Sequence, residues 1–241
     1  MSETVAPAAA TIANKGLLAR VIGVLTSPRA TYAHVVARPQ WLGVFLLVVL
    51  VGGVAGTVFM ATEVGQRAVF DEQVAQMEAS GRHLSDAQMQ RFEGMLPYYK
   101  YFAFVIQLVT FGLGGLVVAG LALAVFNALL GGDASFKQVF AVVAHSGVVL
   151  MLGGLFALPL DYARETVTSP TSLTVFLPML EDNSFLAKLL GSFDLFRIWW
   201  AVSLAIGFGV LYRRRTAPIA TTLLIIYAAL ALVYAAVTTA L

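Results

Sequence analysis

One run of the chain restricts the fold more than any other. From Phe136 to Leu160 the sequence reads FKQVFAVVAHSGVVLMLGGLFALPL, with almost no polar side chain. The run exceeds the roughly 20 apolar residues that cross a bilayer core, so it reads as a transmembrane helix. His145 is the one strongly polar side chain near its middle. An ionisable group at that depth is costly and turns toward other helices or a water-filled cavity.

The rest of the chain repeats the pattern. Of 241 residues, 59% are hydrophobic and only 12% are charged, about half the charge of a soluble domain. The charges lie between the apolar runs, not along helix faces within them. A soluble protein with one large core would need polar helix faces. The fold class is therefore all-α, a polytopic membrane protein with five transmembrane helices. There is no cysteine, which removes disulfides and thiolate metal sites.

The expected spans cover about 41–60, 101–130, 136–160, 196–212 and 217–241. Before them, residues 1–40 form an N-terminal tail and an amphipathic helix over Ile12–Leu25, laid on the membrane interface. A short helix over Thr31–Ala37 follows. Residues 61–100 form an extramembrane helical hairpin, with a capping box at Ser85-Asp86-Ala87-Gln88, Pro97 as its end and His83 solvated in its turn. Gly52 and Gly56 allow span 1 a close helix neighbour. Span 2 is longer than a hydrocarbon core, so it tilts, bends or projects, and Gly112, Gly114, Gly115 and Gly120 offer a bend. Gly131-Gly132-Asp133 turns the chain into span 3, with Asp133 and Lys137 capping that hairpin, and span 3 ends at Pro159. The segment 161–195 is interfacial or re-entrant.

Charge sets an expected orientation. With the N-terminus inside, Lys15, Arg20, Arg29, Arg38, Lys137, Arg213, Arg214 and Arg215 face the cytoplasm against only Glu3 and Asp133. The outer segments carry most of the carboxylates. The positive-inside rule weighs short turns near span ends, and Arg213–Arg215 is such a turn. The C-terminus then lies outside.

The polar residues give the candidate sites. His145 is read as a packed imidazole or as a proton relay, metal ligand or ligand contact inside the bundle. Asp194 and Arg197 pair locally on one helix face, or Asp194 turns inward to His145. Asn127 and Gln107 are interhelical hydrogen-bond partners. Arg213, Arg214 and Arg215 meet anionic lipid headgroups. No second His or Cys stands three or four residues from His145, so no metal site is expected, nor any cofactor. P-loop, zincin, nucleophile-elbow and dinucleotide motifs do not occur, so no enzyme is expected. No basic soluble face supports nucleic-acid binding.

Short motifs add a resemblance. Residues 20–28 (RVIGVLTSP) precede an aromatic helix and Arg38-Pro39-Gln40-Trp41. Phe136-Lys137-Gln138-Val139-Phe140 leads to Ala144-His145-Ser146, and Phe193-Asp194-Leu195-Phe196-Arg197-Ile198-Trp199 opens span 4. Together with five spans this resembles the Yip1 domain family, in its compact prokaryotic branch, over roughly residues 18 to 241. Eukaryotic members are Golgi and ER proteins that associate with Rab GTPases. Their Asp-Leu-Tyr-Gly-Pro type motif and long cytosolic N-terminal region are absent here. The resemblance thus implies fold and topology, a bacterial cytoplasmic membrane (ER or Golgi in a eukaryote), and a scaffold or adaptor role. A transport or lipid-handling role, accessory to an ABC-type exporter, is the alternative. Implied partners are the lipid bilayer and other membrane proteins, an ABC exporter or further copies of the chain among them.

Overall fold

The structure, a computed structural model, describes residues 15–79, 81, 84–181 and 184–240. His83 and the tail before Lys15 lie outside the described residues. Of the described residues, 83% are helical and none forms a strand. Among the described residues ten α-helices follow one another: α1 Leu17–Thr26, α2 Pro28–Ala37, α3 Leu42–Met60, α4 Glu63–Ala79, α5 Asp86–Met95, α6 Tyr99–Leu123, α7 Phe136–Arg164, α8 Phe185–Ser192, α9 Leu195–Leu211 and α10 Thr216–Ala240.

Among the described residues four helical stretches are long and apolar enough to cross a membrane: Leu42–Met60, Asp86–Leu129, Phe136–Arg164 and Thr216–Thr239. The second is α5 and α6 joined into one rod. Pro97 does not end the helix as the sequence suggests, because it falls in the opening turn of a short 3₁₀ segment, Leu96–Tyr98, where a missing N–H costs nothing. The irregularity of span 2 lies beyond Gly112 to Gly120. A π-helical turn over Ala124–Leu129 ends the rod, with Leu130 N–H reaching back to Val125 C=O at 3.1 Å. Ser85 caps α5, and its N–H meets Gln88 Oε1 at 3.0 Å.

Proline misleads once more at the end of span 3. Pro159 lies inside α7, which runs on to Arg164 and stops at Glu165 in the left-handed region, φ 53°. The start of α7 is capped by Ser135 and Gln138, not by Asp133 and Lys137. Ser135 N–H donates to Gln138 Oε1 at 3.0 Å, and Gln138 Nε2 reaches Val36 C=O at 3.2 Å.

Helices α3, α6, α7, α9 and α10 run alternately up and down. Gly53 of α3 meets Phe104 of α6, while Phe45 meets Phe111. A side chain at Gly53 would collide with the Phe104 ring, so the small residues of α3 serve a neighbour in the same chain. Gly153 of α7 meets Phe196 of α9, and Val142 meets Gly207. The turns 131–135 and 212–215 come together at one end, where Gly132 lies against Tyr212. Helix α9, at 17 residues, is shorter than the four long stretches, yet it buries Ala201, Ser203, Leu204, Ala205, Gly207, Phe208 and Gly209.

The α1–α2 hairpin is more than a helix laid beside the bundle. Its inner face packs on protein: Val24 joins Val44, Val48, Val148 and Val149 in one cluster, and Tyr32 joins the main cluster around Phe140, Leu204 and Phe208. Leu18 and Ile22 point outward, 70% and 58% exposed, so α1 also presents apolar side chains away from the bundle, while its inner face buries Arg20, Gly23 and Val24. Protein and lipid interiors are similarly apolar, and periodicity alone does not tell which one a helix face meets.

Candidate functional site

His145 sits at the centre of α7 with 0% exposure. Its Nδ1 lies 2.7 Å from Ala141 C=O. A carbonyl can only accept, so Nδ1 carries the proton and Nε2 is left with a lone pair in the neutral ring. That Nε2 has no partner among the described residues. Ser146, next along, donates to Val143 C=O at 2.7 Å and receives Trp200 Nε1–H at 3.0 Å. A second clasp joins α2 to α9, where Tyr32 Oη and Ser203 Oγ are 2.7 Å apart and both buried. Burial raises the Tyr32 phenol above its ordinary range and outweighs the lowering by Ser203, so it stays protonated.

Asp194 does not turn to His145. It is the N-cap of α9, and its Oδ1 accepts the Arg197 backbone N–H at 3.0 Å. Its Oδ2 accepts from Ser169 Oγ at 2.6 Å and from Thr171 Oγ1. Leu195 N–H to Thr171 C=O at 3.1 Å and Leu173 N–H to Phe193 C=O at 3.0 Å stitch the same loop to the start of α9. Burial raises the Asp194 pKa, but the hydroxyls of Ser169 and Thr171 and the N–H and charge of Arg197 outweigh it. The net direction is down. Arg197 thus meets Asp194 chiefly through its backbone.

Asn127 reaches no other span. Its Nδ2 donates to Ala134 C=O at 2.8 Å and closes the turn between α6 and α7. Gln107 fills the space over Gly52 on α3. Arg213 takes the left-handed φ of 52° at the start of the α9–α10 turn. Arg214 Nη2 donates to Leu130 C=O at 3.0 Å, tying that turn to the neighbouring one. The structure therefore does not gather His145, Asn127, Asp194 and Arg197 into a single site; of the four, Asp194 and Arg197 meet. Among the described residues, no group of three His, Asp or Glu side chains could hold a metal.

Two grooves lie on the flanks. One, among α3, α6 and α7, is floored by Gly52, Gly56, Gly115 and Gly154. The other, of about 790 Å³, lies between α6, α9 and α10, with Arg197 toward one end and Arg214 and Arg215 at the other. Helix α10 packs on α9 and α8, which leaves this groove open beside α6.

Sequence reasoning missed His34, which is 3% exposed on α2, as well as the Tyr32–Ser203 clasp and the hydroxyl box around Asp194. Only the last had a local signal: Ser169-Pro170-Thr171 is a turn rich in hydroxyls, and Asp194 stands just before an apolar run, as an N-cap does.

These helices and buried polar clasps define an integral membrane protein built from apolar helices. A family model described as the Yip1 domain matches residues 22–238, and the chain belongs to that family. No curated protein and no solved structure matches it significantly.

Proposed function

We propose that the protein is a non-enzymatic scaffold or adaptor that binds other membrane proteins within the bilayer. One observation carries this reading. Two polar pairs of the central helices, Trp200–Ser146 and Tyr32–Ser203, are satisfied inside the bundle, whereas the recesses of the surface are mostly apolar grooves on its flanks. A carrier or enzyme needs polar groups facing a cavity. Here Trp200, Ser146, Tyr32 and Ser203 face one another, and α3, α6 and α10 present Leu50, Val54, Ile106, Leu121, Ile225 and Leu230 outward.

The reading includes five crossings, with α9 as the fourth. Seventeen residues give about 25 Å of helix, at the short end of what crosses a bilayer. The alternating directions of the five helices support this. The turn Arg213–Arg215 and Lys137 lie at one end, which supports a cytoplasmic N-terminus and an outer C-terminus in a bacterial cytoplasmic membrane. The partner is an ABC-type exporter or another copy of the chain.

The groove between α6, α9 and α10 favours a second reading, lipid handling. Its walls suit acyl chains, and Arg214 and Arg215 suit an anionic headgroup.

Purification from native membranes in mild detergent, after cross-linking, separates the two. The scaffold reading expects a stoichiometric membrane-protein partner, lost when Leu121 and Leu230 are both changed to Trp. Recovery of the chain alone with one enriched anionic lipid would replace it with the lipid-handling reading.

A further inference from the structure

The α1–α2 hairpin enters the bundle from the end where α3 and α7 begin. Trp41, just before α3, meets Phe140 near the start of α7 edge to face, with ring centroids 5.0 Å apart. Leu17 lies beside Gly43, and Val36 C=O receives Gln138 Nε2 at 3.2 Å. From that end the two arms run inward together, with Gly23 of α1 closed against Thr31 of α2. Val24 packs with Val48, Val148 and Val149. Val148 is the middle residue of the apolar run Phe136–Leu160. Tyr32 Oη lies 2.7 Å from Oγ of Ser203, the middle residue of α9. The turn at Ser27 therefore lies near the centre of the bilayer, and the hairpin is re-entrant.

Arg29 stands two residues past this turn, level with Val24 to within about 5 Å, one helical turn. Its side chain is exposed and, among the described residues, takes part in no hydrogen bond or ion pair. Half the hydrocarbon core is about 15 Å thick, more than an arginine side chain reaches. A charge at that depth is costly and faces protein or a polar cavity, not lipid tails. Neither flank groove includes Arg29. The surface beside it suits a helix: Ala30, Ala33 and Ala37 are exposed along α2. Ala33 and Ala37 are four residues apart, the spacing at which small side chains let two helix backbones approach closely.

Charge sets the chemistry of the partner. A carboxylate neutralises a guanidinium and accepts two parallel hydrogen bonds from it, and intramembrane charges pair in this way. A second copy of the chain has no carboxylate to give at that depth. Helices α1, α2, α3, α6, α9 and α10 carry no Asp or Glu, and α7 carries only Asp161, close to its far end. We propose that Arg29 and the alanine face of α2 dock a transmembrane helix of a different membrane protein, one that carries an Asp or Glu near its centre. The proposal rests on the scaffold reading and names the chemistry of the partner. It also gives the re-entrant hairpin a role: its inner face packs on α3, α7 and α9, and its outer face presents the charge.

The test places the full chain in vesicles of neutral phospholipid with a probe helix of about 20 leucines and alanines. Energy transfer from the chain's three tryptophans to an acceptor on the probe reads association. Three probes differ only at the central residue, which is Asp, Leu or Lys. The Asp probe is expected to bind about tenfold tighter than the Leu probe, and the Lys probe to bind no better than the Leu probe. Arg29→Leu, at an exposed position, abolishes the preference, and Arg29→Lys keeps part of it. Ala33→Phe, also at an exposed position, weakens the Asp probe by bulk alone. Equal binding of the Asp and Leu probes to wild type overturns the proposal. So does a preference retained in Arg29→Leu, or Asp-probe binding untouched by Ala33→Phe. The scaffold reading fails separately. A stoichiometric partner recovered from native membranes and kept in Arg29→Leu strikes this site and leaves the scaffold. A chain recovered without any membrane-protein partner strikes the scaffold, and the probes then decide the site on their own.

Discussion

Helices α7 and α10 are both long and apolar enough to cross a bilayer, yet 67% of the core window of α7 is buried inside the protein and only 17% of that of α10. Hydropathy does not separate them. What does is the chemistry along each helix. Helix α7 carries Gly147 and Gly153, where Phe111 and Phe196 come close, and Ser146, which receives Trp200. Helix α10 carries Ile225, Leu230, Val233 and Val237 outward, all more than half exposed. In a bilayer, apolar surface alone does not drive helices together, since lipid tails are as apolar as leucine. Close packing and hydrogen bonds decide which helices become the centre.

The largest effect is expected where the packing is tightest. Gly207→Leu would drive a side chain into Val142 and Tyr32. It should cost about 3 kcal/mol or more, read as loss of monodisperse protein or a large drop in thermal unfolding temperature in detergent. The matched change on an outer helix is Gly120→Leu, where nothing lies within 4 Å. Equal damage from both would break the comparison.

Next comes the loss of a buried partner. Ser203→Ala leaves the Tyr32 hydroxyl buried and unbonded, at a cost of about 1–3 kcal/mol. The double change with Tyr32→Phe should recover much of that, which a thermal-unfolding cycle measures. No recovery would mean that the clasp is not what holds α2 to α9.

Asp194→Ala should cost about 1 kcal/mol for the cap of α9, and more for the stranded hydroxyls of Ser169 and Thr171. The pH sign follows from the lowered pKa. Because the folded value lies below the unfolded one, Asp194 stabilises fully above the ordinary carboxylate value, and that stability fades as pH falls through the folded pKa. Acid unfolding of wild type and Asp194→Asn should therefore converge at low pH. A constant gap between them would remove the charge from the explanation. The smallest effect is expected at Leu230→Ala, on the outer face of α10 at 64% exposure, within about 0.5 kcal/mol.

The apolar runs and the Ser85 cap were legible in the sequence because they depend on neighbours three or four residues away. The fit of α3 to α6 was half legible: Gly52 and Gly56 announced a close approach, but not the partner. Tyr32 and Ser203 lie 171 residues apart and Ser146 and Trp200 lie 54 apart, so no local period could pair them. His145 stood out because its surroundings are apolar. His34 did not, because Arg29, Arg38 and Thr31 around it suggest a solvated surface helix. The burial of α2 comes from Gly207 and Val142 accepting Tyr32, a tertiary fact. The prolines misled in the other direction, since Pro97 and Pro159 were read as stops where helical structure continues.

The placement of α9 as a crossing helix is the claim on which topology, orientation and the scaffold reading all depend. The chain has no cysteine, so single cysteines introduced at Gly16, Glu93, Glu181 and Arg215 can be labelled with a membrane-impermeant maleimide in intact cells. The five-crossing arrangement predicts labelling at positions 93 and 181, with positions 16 and 215 protected until the membrane is permeabilised. Labelling of 181 and 215 from the same side would contradict it and leave α9 buried without crossing.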